Sequence, residues 1–151
     1  MTETPYRATD SDLSAVLHLI RTAFAGMDGR IDPPSSVHRL TRADLALPGR
    51  EVWVIGQPPL ACMVLTPRAD TLYLGKLAVV PAAQRRGHAR RLIAQALMRA
   101  AALGHPSVTL QTRVELTENH AAFTRLGFEE IARTAHAGFD RLTTITYRRT
   151  V

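Results

Sequence analysis

Leu77-Ala78-Val79-Val80-Pro81-Ala82-Ala83-Gln84-Arg85-Arg86-Gly87-His88-Ala89-Arg90 is the stretch on which the fold turns. An apolar run stops at a proline, a short loop with one glycine follows, and helix-forming residues begin. The pattern predicts a strand over residues 72–80 and a helix from about Gln84 or Arg85 to Leu103. Ala89, Leu92, Ile93, Ala96, Leu97 and Ala100 would be its buried stripe, and Gly104 its stop. The first turn of a helix exposes N–H groups without intrahelical partners, and the helix dipole adds positive charge there. Such a terminus binds phosphate. Gly87 lets the main chain approach a bulky anion, and the small Ala89 leaves room beside it. Arg85, Arg86 and Arg90 add charge at the same place. A diphosphate suits this site. Neither a Gly-Lys-Ser/Thr phosphate loop nor a Gly-x-Gly-x-x-Gly fingerprint is present, so nucleotide hydrolysis and dinucleotide binding have no support.

Upstream of that stretch, residues 6–9 read as a short strand. Asp10 or Ser11 then caps a helix whose Leu13, Val16, Leu17, Ile20 and Phe24 share one face. A second helix is expected from Asp32-Pro33-Pro34-Ser35-Ser36 to about Leu47, capped by Ser35 or Ser36. Strands over 52–55 and 60–65 flank Gln57-Pro58-Pro59, a hairpin turn. Gly75 marks a bend or a bulge inside the 72–80 strand. Downstream come a strand over 107–112, a helix capped by Thr117 and ended by Gly127-Phe128, and strands near 128–133 and 142–149. The fold class is α/β: a mixed central sheet of six to seven strands flanked by about four helices. With no repeat or linker in view, 1–151 reads as one domain.

At 151 residues the chain can bury roughly two-thirds of its unfolded surface. Its 46% hydrophobic and 21% charged content excludes collagen-like, coiled-coil and disordered classes. One cysteine, Cys62, allows neither an internal disulfide nor a cysteine-based zinc site, and it suits a reducing compartment. Met1-Thr2-Glu3-Thr4-Pro5 lacks the basic start and apolar run of a leader, and no apolar stretch spans a bilayer. The expectation is a cytoplasmic protein that needs no membrane and no metal. The net charge of +6 calls for an acidic partner. Nucleic acid is disfavoured, because aromatics are only 5% of the chain and base stacking uses such rings.

The Leu-x-Val-x-Pro run followed by Gln84-Arg85-Arg86-Gly87-His88-Ala89 resembles the acetyl-CoA signature of the GCN5-related N-acetyltransferase (GNAT) family, commonly Arg/Gln-x-x-Gly-x-Gly/Ala. The start Tyr6-Arg7-Ala8-Thr9-x-x-Asp12-Leu13, the Leu126-Gly127-Phe128 helix end and the element order over nearly the whole chain match as well. The resemblance implies a direct transfer of acetyl from acetyl-CoA to a primary amine, with no covalent enzyme intermediate. By the same resemblance, backbone groups of Leu77, Ala78 and Val79 hold the acetyl carbonyl and the pantetheine arm, and Leu77 lies where the oxyanion forms. Amides from Gln84 through Arg85, Arg86, Gly87, His88, Ala89 and Arg90 cradle the pyrophosphate. Asn119 and Phe123, one helical turn apart, line the sulfur end.

Two departures stand out. Many relatives place a tyrosine four residues before the Gly-Phe pair to protonate the thiolate, and here that position is Phe123. No glutamate lies on the 72–80 strand to serve as a base. His136, in the turn between the last strands, is the leading candidate base; Tyr73 and Glu51 are weaker ones. These gaps keep open an alternative, a regulatory module that binds acetyl-CoA with little turnover. The acceptor pocket falls to segments 28–47 and 134–141, where Asp28, Asp32, Asp44 and Asp140 could draw a cationic amine. The terminal strands offer an edge for pairing with a second copy.

Overall fold

The computed structural model describes residues 4–151. Residues 1–3, part of the start read above as lacking a leader, lie outside the described residues. Seven strands form one mixed sheet in the order β1-β2-β3-β4-β5-β7-β6. They are β1 Tyr6–Arg7, β2 Glu51–Ile55, β3 Ala61–Pro67, β4 Leu72–Val79, β5 Ser107–Arg113, β6 Glu129–Thr134 and β7 Thr144–Thr150. Neighbours are antiparallel except β4 and β5. Helices α1 Leu13–Phe24, α2 Arg42–Leu45, α3 His88–Leu103 and α4 Thr117–Arg125 complete the chain. The expected fold class is therefore the observed one. Among the described residues no helix is long and apolar enough to cross a membrane.

Period-two alternation divides the sheet's side chains between two cores. Ala61, Met63 and Leu65 of β3 face α3, where they pack with Leu92, Ile93, Ala96 and Ala100. Cys62 and Val64 face the other way and pack with Val16, Leu17 and Ile20 of α1. Each fully buried Leu, Ile, Val or Met among them contributes about 1.5–3 kcal/mol. At the far edge every residue of β6 is exposed.

Several boundaries differ from expectation, each for a local reason. Helix α3 starts at His88, not at Gln84 or Arg85, because Arg85 and Gly87 take left-handed dihedrals (φ 66° and 82°) that no helix continues. The expected second helix is broken: a 3-10 turn over Ser36–Arg39 is capped by Ser35, and α2 restarts under a Thr41–Asp44 capping box. Asp10 and Ser11 belong to a 3-10 turn, Asp10–Asp12, which Thr9 caps in a capping box with Asp12, and Asp12 is the cap of α1 itself. Thr117 is the first helical residue of α4, with Leu116 at the cap.

The bulge falls one residue after Gly75. Pairing of β3 with β4 runs Cys62↔Ala78 and then Val64↔Gly75, so Lys76 and Leu77 together oppose Met63. Lys76 takes φ 52° to do this. An extra residue inverts the facing of all that follows. Leu72 and Leu74 face α3 before the bulge, Leu77 and Val79 after it, and Ala78 joins the α1 core. Lys76 is thereby swung away from α3 and toward the 33–39 segment, where its Nζ donates to Ser36 Oγ at 3.0 Å.

Candidate active site

The parallel ladder between β4 and β5 has two rungs, Leu72↔Val108 and Tyr73↔Thr109. Beyond them, among the described residues, β4 has no ladder partner on the β5 side. The strands open into a cavity of about 570 Å³. Its wall includes Leu74, Gly75, Lys76 and Leu77 from β4, Gln111 and Arg113 from β5, and Asn119 and Phe123 from α4.

At one end of this cleft lies the 84–90 loop. Pro81–Ala83 make a 3-10 turn, Gln84 is extended, and Arg85 and Gly87 are left-handed on either side of Arg86. Such alternation curls successive N–H groups into a concave anion nest. The amides of His88, Ala89 and Arg90 follow as first-turn donors of α3. Arg91 stiffens the loop by donating to Arg86 O at 2.9 Å. The side chains of Arg85, Arg86 and Arg90 are exposed. His88 is buried, at 3% exposure. Its Nδ1 lies 3.4 Å from Arg91, and its buried Nε2 has no partner among the described residues.

Asn119 and Phe123 lie on the cavity side of α4. Asn119 donates to Thr112 Oγ1 at 3.1 Å, and the Phe123 ring packs against Tyr147 and Phe128 with centroids 5.8 and 6.2 Å away. Gly127, at φ 90°, closes α4, and Phe128 N–H returns to Phe123 O at 3.0 Å.

At the other end His136 and Tyr73 both reach the cavity wall. His136 N–H donates to Thr143 Oγ1 at 2.9 Å, and its Nδ1 is hydrogen-bonded to the same hydroxyl. Burial and the Arg113 charge pull the His136 pKa below its ordinary value, with Glu115 opposing them. Burial pushes the Tyr73 phenol up, while Arg68 lies 4.2 Å above its ring and offsets part of that. Of the remaining candidates, Glu51 does not line the cavity. It sits under α3, accepting from Arg99 at 2.8 and 2.7 Å and from Trp53 at 3.0 Å. Cys62 is wholly buried behind the bulge, and burial pushes its thiol up to about 12.

None of Asp28, Asp32, Asp44 and Asp140 lines the cavity. Asp28 pairs with His38, Asp32 with Arg141, and Asp44 caps α2. Sequence reasoning missed the cavity's cations, Arg39, Lys76 and Arg113, which come from three distant segments. The signal that could have found Lys76 was the bulge. Had it been set at Lys76 rather than at Gly75, the change of facing would have followed.

The description of the acetyltransferase (GNAT) family matches residues 14–128 of this sequence. The chain belongs to that family. No curated protein matches the sequence. Solved structures show the GNAT fold over almost the whole chain. The ribosomal-protein-S18-alanine N-acetyltransferase of Escherichia coli is 22% identical with a TM-score of 0.75, over 97% of this chain and 92% of that one. A GNAT acetyltransferase of Staphylococcus aureus MU50 is 15% identical with a TM-score of 0.74, over 97% and 98%. An aminoglycoside 6'-N-acetyltransferase solved with coenzyme A is 12% identical with a TM-score of 0.75, over 97% and 96%. At such identities the likeness is one of fold. In this GNAT chain the bulged β4, its divergence from β5 and the left-handed loop before α3 are the features that fold brings together.

Proposed function

We propose that residues 1–151 act as one domain that binds acetyl-CoA along the β4–β5 cleft and moves its acetyl group to a primary amine in the cavity. The observation that carries this reading is the two-rung ladder. It leaves the 74–79 edge of β4 open to pair with an extended amide chain such as pantetheine, as an added strand would. The residues present fit the cosubstrate: an open strand edge for the arm, an anion nest with exposed arginines for the diphosphate, and Asn119 and Phe123 at the thiol end.

The thioester supplies an activated acyl group with thiolate as its leaving group. In the reaction a C–N bond replaces the C–S bond, the amine gives up one proton, and the thiolate takes one. Backbone N–H at Leu77 stabilises the charge that grows on the carbonyl oxygen. His136 is the base. Thr143 Oγ1 accepts from the His136 amide, and its own proton is directed to Thr134 O, 3.4 Å away. The hydroxyl then accepts from Nδ1–H, and Nε2 keeps its lone pair for the amine. Its lowered pKa keeps it neutral, and so competent, at pH 7. Tyr73 on the cavity wall is the hydroxyl assigned to protonate the thiolate, since Phe123 has no proton to give.

Titration calorimetry with acetyl-CoA, followed by thiol-release assays over an amine panel, tests this. Binding plus turnover above the spontaneous rate is expected. Absence of binding by the intact protein would remove the reading. Binding without turnover of any amine would favour a regulatory module, which the loss of a phenol at Phe123 supports.

A further inference from the structure

Among the described residues, the cavity wall carries Arg39, Lys76 and Arg113 and not one aspartate or glutamate. A site shaped for a polycationic amine would show the opposite charge, because binding surfaces complement the potential of what they hold. The placement of Lys76 sharpens this point. Without the bulge its side chain would point into the α3 core; the bulge delivers it to the cavity. There it is half-buried, its Nζ donates only to the neutral Ser36 hydroxyl, and no described carboxylate pairs with it.

Arg113 is comparable. Its two terminal nitrogens donate to the carbonyls of Pro33 and Pro34 at 2.6 and 3.2 Å, which anchors the 33–34 segment but supplies no counter-charge. The acids that act on Arg113 are Glu115 and Asp32, both engaged by Arg141 outside the cavity wall. Burial and the charges of Arg50 and Arg113 pull the Lys76 pKa down, with Asp44 opposing them. Two half-buried cations with no described carboxylate in hydrogen-bond contact are incompletely satisfied, and an anion entering between them relieves this.

Resting on the acetyl-transfer reading above, we propose that the acceptor is a small primary amine that also bears a carboxylate. The carboxylate sits against Lys76 and Arg113, with Arg39 at the mouth. An apolar body lies along Phe24, Met27 and Phe139, which line the same cavity. A space of about 570 Å³ shared with a thioester leaves room for a molecule the size of an amino acid. The anion is held in substrate and transition state alike, so its loss acts on KM.

The test compares leucine, methionine and phenylalanine with their amides and with spermidine in a thiol-release assay. Acetyl-CoA affinity is measured separately by calorimetry. The free acids should exceed their amides in kcat/KM by about tenfold or more, the value of a charge-assisted contact. Lys76→Asn, which tolerates the left-handed backbone, and Arg113→Gln should each raise KM for the acids by about tenfold. Both should leave kcat within a few-fold and acetyl-CoA affinity unchanged, and Arg113→Lys should recover part of the loss. Three results overturn the proposal: amides or spermidine turned over as well as the acids, variants with an unchanged KM, or acetyl-CoA bound with no acid acetylated. Acetylation of Lys76 itself, seen by mass spectrometry, also overturns it. Failure of acetyl-CoA binding in the calorimetric arm strikes instead at the reading beneath it.

Discussion

At the α3 end of the cleft, the groups proposed to hold the pantetheine arm and the diphosphate come from the single run 77–91, and most are main-chain amides. At the opposite end the wall is drawn from α1, the 33–39 segment, β4, β5, α4 and the turn after β6, and its chemistry is in side chains: His136, Tyr73, Lys76, Arg113. The first end needs a backbone path, the second a convergence of distant residues. A backbone path depends on few positions, chiefly those with left-handed dihedrals, and tolerates change elsewhere. A convergence can be retuned residue by residue without disturbing the other end. Substitutions at the two ends should therefore separate cleanly into binding of acetyl-CoA and chemistry on the acceptor.

The largest effect should come from the side-chain end. His136→Gln removes the proposed base, and kcat should drop by roughly 100-fold or more, within the usual range for general-base catalysis. Affinity for acetyl-CoA, measured by calorimetry, should not move. In the parent, kcat/KM should fall as pH drops through an inflection below 6.5, because the neutral imidazole is lost there and its pKa is depressed. The variant should lose that inflection. A parallel loss of cosubstrate affinity would mean the two ends are coupled.

Gly87→Glu is the matching test at the backbone end. At φ 82° any side chain costs about 1–2 kcal/mol, and a carboxylate beside a diphosphate adds repulsion. Together they should weaken acetyl-CoA binding by on the order of 100-fold. Gly87→Ala should cost less, since its Cβ meets the Arg91 guanidinium at an ordinary 3.5–3.7 Å and only the backbone strain remains.

The same contrast explains what could be read in advance. The strand, proline, glycine and helix of 77–91 are consecutive, so local propensity alone outlines that end of the site. Element order followed from hydrophobic period and turn residues. Misplaced boundaries came where side chains compete with the backbone: the Thr9–Asp12 and Thr41–Asp44 boxes, or Arg85 held left-handed in a run that otherwise reads as helix. The acceptor end stayed hidden because its residues meet only through the β4 bulge and the packing of the 33–39 segment on β5. The aspartates of the 28–47 stretch looked available in sequence, yet Asp28, Asp32 and Asp44 are engaged by His38, Arg141 and Thr41.

A change in the scaffold between the ends should affect neither selectively. Glu51 is 7% exposed and takes both Arg99 bonds plus the Trp53 indole. Glu51→Gln leaves Arg99 without its counter-charge, but Arg99 is partly exposed, so about 2 kcal/mol is expected rather than the full penalty of a buried pair. That corresponds to a Tm lower by about 4–8 °C. Hydrogen bonding from Arg99 holds the Glu51 carboxyl below its ordinary 4.5. Its contribution is thus complete above pH 4.5 and is lost as pH falls through the lower folded value. The gap in Tm between parent and variant should narrow in acid, while specific activity of the folded fraction at pH 7 stays unchanged.

The smallest effect is expected at Cys62, which lies directly behind the bulge where the two ends meet. Its Sγ is 3.8 Å from Lys76 O, next along the chain to Leu77 of the proposed reacting centre. Proximity of a thiol to a thioester invites a route in which the acetyl group rests on the enzyme. The geometry opposes it: the thiol is fully buried, has its back to the cavity in the α1 core, and titrates near 12. At neutral pH almost no thiolate forms, and a thiol is a poor nucleophile. Cys62→Ala should therefore keep kcat within about threefold of the parent, a shift under about 1 kcal/mol in barrier. Initial-rate plots against acetyl-CoA at several amine concentrations should intersect rather than run parallel. Parallel lines abolished by Cys62→Ala would place the thiol in the reaction path and break the division between a backbone end and a side-chain end at the residue that separates them.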